Sequence, residues 1–290
     1  MNALDLSRPQ LAVDLVLFTV LNEKDLSDSW IRELVSPTSV TETTEPGLSL
    51  FVVTMQGEKG RKLPGGFVEG HERIAEAGER IMREVLGLYA PVRLREVGTF
   101  DSPDRHMNAR VISIPSWGFV KFQDLLKVLG GRDQVGLELV NSNGVIRDFI
   151  EENGGLSEFD GVSRFGYRMK PTAKRGHVKQ LPSEFGMQLL EQDHDQIIFY
   201  AWRKLRHAFT GRLDPFRYLG VKALGEEFRL SDLQEFQDVV CGISTHRDQF
   251  RRQMLSNDSF IIETEKQDSS RQGKPATLYT LGAALENENE

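Results

Sequence analysis

Residues 63–88 read Leu63-Pro64-Gly65-Gly66-Phe67-Val68-Glu69-Gly70-His71-Glu72, then Arg73 to Glu79, then Arg80-Ile81-Met82-Arg83-Glu84-Val85-Leu86-Gly87-Leu88. The paired glycines predict a tight turn, because glycine takes backbone conformations that other residues resist. The run behind them predicts a helix from about Ile74 to Leu86, stopped at Gly87. Positions 81 and 85 are four apart and share one face of that helix. Both are apolar there. Mg²⁺ requires hard oxygen ligands, and Ile81 and Val85 supply none. Glu69, Glu72, Glu76, Glu79 and Glu84 lie nearby, and helical spacing can pair Glu72 with Glu76 or Glu76 with Glu79.

Working outward, Val13 to Val20 is β-branched and apolar and reads as a buried strand, and Leu48 to Met55 reads as a second. Ser36 to Gly47, rich in Ser, Thr and Pro, is a loop between them. Val92 to Phe100 and Ala109 to Ile114 are expected strands. Residues 121–180 are expected to be an insertion. Phe122 to Leu129 and Val145 to Glu152 are candidate helices within it, and Lys170, Lys174, Arg175, His177 and Lys179 are candidate phosphate contacts.

A linker helix is expected to begin near Asp193-His194-Asp195, with Ile197, Ile198, Ala201, Leu205 and Ala208 on its apolar face and Gly211 as its stop. His194 reads as structural, since no His or Cys stands at metal-site spacing. From Leu230 the pattern is helix, turn, helix, hairpin. Ser231 with Gln234 fits a capping box on the first helix. Leu233, Phe236, Val239 and Val240 form its buried side. Thr245 with Asp248 fits a second box. The second helix buries Phe250 and Met254 and presents Arg247, Arg251 and Arg252. Phe260 to Thr264 and Ala276 to Leu281 are expected strands, joined by a connection carrying Lys266, Arg271 and Lys274. A helix-turn-helix followed by a basic hairpin is a winged helix.

Composition fits a soluble globular chain: 290 residues, 27% charged and 39% hydrophobic. One cysteine, Cys241, rules out an internal disulfide and suits a reducing compartment. The absence of a leader, and of any apolar run near the ~20 residues that span a bilayer, predicts a cytoplasmic protein with no membrane partner. The net charge of -7 is unevenly spread: residues 193–283 carry 13 basic and 13 acidic residues, so the C-terminal part is neutral and compatible with DNA.

The 63–88 stretch resembles the Nudix box, G-x5-E-x7-R-E-U-x-E-E-x-G-U with U aliphatic. Gly66, Glu72, Arg80, Met82, Glu84, Gly87 and Leu88 stand on pattern. Ile81 and Val85 stand where the family has metal-binding carboxylates. Joined to a winged helix, this degenerate box resembles the Nudix-related transcriptional regulators, the NrtR family. Leu181-Pro182 with Asp193-His194-Asp195 resembles that family's domain junction. Phe250-Arg251-Arg252-Gln253-Met254-Leu255 with Gly273 to Tyr279 resembles its recognition helix and wing.

The resemblance implies an α+β fold: a Nudix-like α/β/α sandwich at 1–190, a linker and winged helix at 191–283, and an acidic tail at 284–290. It implies a homodimeric DNA-binding regulator, a repressor by analogy, with no catalytic residues, metal or cofactor. Its pocket would sense ADP-ribose or a sugar-derived metabolite, and its targets would be genes of NAD or sugar metabolism. The effector residues would be Arg61, Glu69, Phe100, Arg105, Arg110 and Trp117. The DNA residues would be Ser244, Thr245, His246, Arg247, Arg251, Arg252, Arg271 and Lys274. The chain departs from the family at Arg105-His106-Met107-Asn108, where Arg-Asp-Pro-Arg is usual, which leaves the effector open. The rival readings are a metal-dependent hydrolase of nucleoside diphosphate derivatives using the remaining glutamates, and a winged helix that binds protein.

Overall fold

The computed structural model describes residues 9–22, 48–58, 60–106, 109–129, 135–139, 190–210, 224–241, 245–256, 261–269 and 274–282. Two compact units divide the chain, Met1–Trp202 and Arg203–Glu290.

The first unit is organised by strand β1 (Gln10–Asn22), which is long enough to serve two sets of neighbours. Its first half lies between β4 (Gly65–Phe67), antiparallel, and β6 (Val111–Ser113), parallel. Its second half lies between β2 (Leu48–Gln56), antiparallel, and β7 (Ser116–Phe119), parallel. Strand β3 (Arg61–Lys62) pairs with β2, and β5 (Arg95–Glu96) pairs with β7. The expected strand Val92 to Phe100 is thus only two residues long, with a further bridge from Phe100 to Ser113.

Alternation along β1 sends Val13, Leu15 and Leu17 to one side, where they meet Ala77, Ile81 and Met82 of helix α1 (Ile74–Glu84). Each such side chain contributes about 1.5–3 kcal/mol on full burial. Arg73 begins α1, its backbone N–H donating to Glu76 Oε2 at 2.7 Å. Gly87, at φ +69°, ends it.

Helix α2 (Phe122–Leu129) buries Phe122 and Leu125 in the same core, and β8 (Val135–Leu139) pairs antiparallel with β2. The start of the expected insertion is therefore built into the sheet and core. The rest of it, with Val145 to Glu152 and the Lys170 to Lys179 stretch, lies outside the described residues, as do Leu181-Pro182 and Gly211. Helix α3 (His194–Thr210) follows, with Ile197, Ile198, Ala201, Leu205 and Ala208 all buried as its period requires. The division between the units falls within it.

In the second unit, α4 (Leu230–Cys241) and α5 (Arg247–Leu255) precede the hairpin β10 (Ile261–Asp268) and β11 (Ala276–Leu281). A short strand, β9 (Phe228–Arg229), completes a sheet in the order β10-β11-β9. Phe228, Leu233, Phe250, Met254, Ile261 and Tyr279 form the core of this winged helix. Gln237 is buried on α4, and Val239 is only half-buried. Among the described residues no helix is long and apolar enough to cross a membrane.

Candidate functional site

Two places concentrate the polar side chains. In the first unit the box helix presents a row of acids, and every one has a partner. Arg80 Nη2 donates to Glu72 Oε1 at 2.7 Å and Nε to Glu72 Oε2 at 3.0 Å. Glu69 approaches Arg80 Nε at 3.7 Å, and Glu84 approaches its Nη1 at 3.8 Å. The hydrogen bonds from Arg80, then that from the Glu69 N–H, hold the Glu72 carboxyl at about 2 against an ordinary 4.5. Glu76 caps the helix, and Glu79 pairs with Arg83 at 3.6 Å. Ile81 is fully buried, and Val85 packs half-buried on the same core. Gly65 and Gly66 lie in strand β4 rather than in the tight turn expected of them, and a Cβ at Gly66 would stand 3.5 Å from Ile81 Cγ1, so the isoleucine fills the space under that strand.

The other face of β1 carries a buried ionic cluster. Arg105 Nε and Nη2 donate to the two oxygens of Asp193 at 2.9 and 2.8 Å, and Nη2 also reaches Asp14 Oδ2 at 3.3 Å. Ser113 Oγ donates to Asp14 Oδ2 at 2.6 Å. His194 Nδ1 accepts the Leu63 N–H at 3.0 Å, and its Nε2 lies 3.8 Å from Asp14 Oδ1. Burial opposes the charge on Arg105, but the carboxylates, Asp193 foremost, outweigh it and raise its pKa. Burial pulls His194 the other way, below its ordinary value of 6.5.

The expected effector residues fall into separate settings. Arg105, expected to grip a ligand, has its guanidinium taken by Asp193 and Asp14. Trp117 lies 1% exposed on β7, in register with Val16 and Arg95, and belongs to the core. Phe100 is buried, edge-to-face with Tyr200 of α3 at 6.0 Å between ring centres. Half-buried Arg61 donates from Nη2 and Nε to Thr54 Oγ1 at 2.6 and 2.9 Å. Half-buried Arg110 donates from Nη1 to the Ser102 carbonyl at 3.3 Å, and the Glu69 side chain is 50% exposed. Pattern reading missed Asp14, Ser113 and Asp193. Asp14 carries a usable signal, a lone acid inside an apolar strand, since such a residue is rarely buried without a partner.

In the second unit, α5 buries Phe250 and Met254 and exposes His246, Arg247, Arg251 and Arg252 on its remaining surface. Arg252 Nε also donates to the Asp248 carbonyl at 3.3 Å. Lys274 is exposed beside Pro275, whereas Ser244 and Arg271 lie outside the described residues. Thr245 is committed elsewhere. Its hydroxyl donates to Asp238 Oδ1 at 2.6 Å, its N–H to Asp238 Oδ2 at 3.1 Å, and its carbonyl accepts from Gln234 Nε2 at 2.6 Å.

Both expected capping boxes are therefore replaced. Helix α4 starts at Leu230, before Ser231, and α5 is capped at His246 without a side-chain bond. Gln234 and Asp238 brace the turn between the helices instead. Strand β10 runs four residues past its expected end, so Lys266 sits within it, 2.8 Å from Glu227. Arg229 Nε, another residue without a sequence signal, donates to Asp268 Oδ2 at 2.6 Å and ties β9 to the far end of β10.

Residues 220–281 match the model of the NrtR DNA-binding winged helix domain. No curated protein matches the sequence. Among solved structures, the chain is similar to Shewanella oneidensis NrtR complexed with a 27mer DNA, at 19% identity and a TM-score of 0.57, covering 96% of this chain and 95% of that one. It is also similar to Shewanella oneidensis NrtR alone, at 18% identity, 94% coverage of each chain and a TM-score of 0.53. A MutT/nudix family protein from Enterococcus faecalis matches at 16% identity and 0.53, covering 95% of this chain and 89% of that one. The fold is thus the mixed α/β arrangement of a Nudix domain followed by an NrtR-type winged helix.

Proposed function

We propose that this chain is an NrtR-like transcriptional regulator whose Nudix domain senses a small molecule and hydrolyses nothing. The observation that carries the DNA reading is α5 itself, a helix buried by Phe250 and Met254 that presents Arg247, Arg251 and Arg252 to solvent, within a stretch matching a DNA-binding domain. Arginine on a helix in the major groove can bond guanine O6 and N7 in pairs. Lys274 on the wing suits a phosphate contact, and Thr245 acts as a turn brace. A homodimer would set two such helices about one helical turn, ~34–36 Å, apart.

Ile81 supports the sensor reading, because an apolar, fully buried side chain occupies a position where hydrolases of this kind hold a metal-binding carboxylate. Exposed Glu69 and half-buried Arg61 and Arg110 are the expected effector contacts still open to solvent. An ADP-ribose-like effector fits the family resemblance, and a repressor of NAD or sugar metabolism is the form it takes. The effector must bind one DNA-binding state better than the other, since equal affinity shifts nothing.

Sequencing the host genomic DNA retained by the protein at near-physiological salt tests the reading. Enrichment of a palindromic site beside metabolic genes is expected. A flat profile together with metal-dependent cleavage of ADP-ribose would overturn it in favour of a hydrolase.

A further inference from the structure

Residues 100–106 carry side chains suited to an effector, yet two of them, Phe100 and Arg105, are spent on α3 and the residue that opens it. Arg105 holds both oxygens of Asp193, the residue whose carbonyl accepts the Ile197 N–H at 3.1 Å and so opens the helix. Phe100 stacks edge-on against Tyr200, further along the same helix. The segment is itself braced, with the Arg105 N–H and Arg110 Nη1 both donating to the Ser102 carbonyl.

The chain entering α3 is also held by residues 60–63. The Glu191 N–H donates to the Arg61 carbonyl at 2.8 Å, Glu191 Oε1 accepts the Gly60 N–H at 2.8 Å, and His194 Nδ1 accepts the Leu63 N–H. Between these ties Gln192 sits at φ +59°, the one non-glycine residue with positive φ among the described residues. Such a conformation persists where its surroundings over-determine it.

We infer that Arg105 is a positioning residue, a strut that carries displacement of residues 100–106 into the start of α3 without touching the effector. This rests on the sensor reading of the first unit. A guanidinium fork bonded to both oxygens of one carboxylate has a single good geometry, so it moves with its partner or lets go. Made and broken are then the two arrangements between which it would switch.

Hydrogen exchange on the full chain, wild type against Asp193→Asn and Arg105→Lys, tests the strut directly. Each substitution is expected to raise exchange at least about tenfold in both Leu190–Ile198 and Phe100–His106. Loosening confined to the substituted side would overturn the proposal, because the two segments would then move independently of the pair that joins them. A second readout titrates ADP-ribose against protein bound to a recovered genomic fragment. Both variants are expected to bind ADP-ribose within about threefold of wild type while DNA affinity ceases to respond. If Arg105→Lys alone loses binding by more than about tenfold, Arg105 is a ligand contact and the strut is wrong. A wild-type protein indifferent to ADP-ribose would defeat that choice of effector, and the exchange result would still decide the strut.

Discussion

Arg105 in the first unit is 4% exposed and bonded to two carboxylates, whereas Arg247, Arg251 and Arg252 in the second stand exposed along one helix. Both groups look alike in sequence, as basic residues in places suited to anions. The buried arginine depends on Asp14 and Asp193, which are 91 and 88 residues away, and nothing in the sequence around Arg105 names them as its partners. The exposed ones are read from local sequence, since Phe250 and Met254 are the apolar side chains that turn inward and the arginines among them stay at the surface. A charge can therefore be located from sequence, but whether it is free for a ligand depends on partners that the fold brings in.

The sharpest way to break this contrast is Arg105→Met. It leaves Asp193 and Asp14 buried without their cation, and a broken buried pair costs about 3–5 kcal/mol. Urea unfolding of the full chain should show a loss of that size. All three tryptophans, Trp30, Trp117 and Trp202, precede Arg203, so tryptophan emission reports chiefly the first unit. A loss below about 1 kcal/mol, the range of solvated ion pairs, would mean that Arg105 is far less committed than its geometry implies.

Gly65→Ala probes the same cluster from the backbone. A methyl group there would run into Asp14 Oδ1 and stand 2.9 Å from the Val13 carbonyl, which is main chain and cannot step aside. Overpacking of this kind costs about 1–3 kcal/mol. Gly66→Ala, whose Cβ would meet Ile81 at an ordinary 3.5 Å, should be milder. Equal costs at the two glycines would show that the carboxylate beneath Gly65 is not what demands it.

These comparisons also mark what sequence could carry. Strands β1 and β2, helices α1 and α3, and the pair α4 and α5 were legible because each is a local run with its own period. Strand β7 was not, although it lies beside β1 at the centre of the sheet. Ser116-Trp117-Gly118-Phe119 has no β-branched residue, and Gly118 is needed because a Cβ would stand 2.9 Å from Val92 Cγ1 and 3.0 Å from the Arg93 carbonyl. Strands β3, β5 and β9 are two residues each, too short to show alternation. The capping boxes failed because Gln234 and Asp238 reach across the turn to Thr245, a choice made by the packing of two helices.

In the second unit Arg247→Ala should cost about 1–3 kcal/mol of operator binding if that side chain bonds a guanine edge, with specificity relaxed at one base pair. Arg251→Ala or Arg252→Ala, if directed at phosphate, should weaken all sequences alike and lower the salt slope by about one unit. Binding isotherms on the recovered operator and a scrambled duplex at three salt concentrations separate the two roles. Arginines that show neither effect would place the DNA contact elsewhere on the domain.

The gentlest contrast is in acid. His194 accepts the Leu63 N–H at Nδ1, so it is neutral in the fold, and burial lowers its pKa below 6.5. The unfolded chain then takes up its proton first. Stability from this residue is full above pH 6.5 and declines as pH falls below it, with a slope bounded by about 1.4 kcal/mol per pH unit for one proton. Glu72, held at about 2, contributes stability above 4.5 that is lost as pH falls toward 2, so its window lies below that of His194. Between pH 6.5 and 4.5 the tryptophan-detected Tm should therefore fall in wild type. His194→Gln keeps an acceptor for the Leu63 N–H but has no proton to gain, so its Tm should fall less over the same interval. Parallel curves for the two proteins would remove His194 from the acid sensitivity.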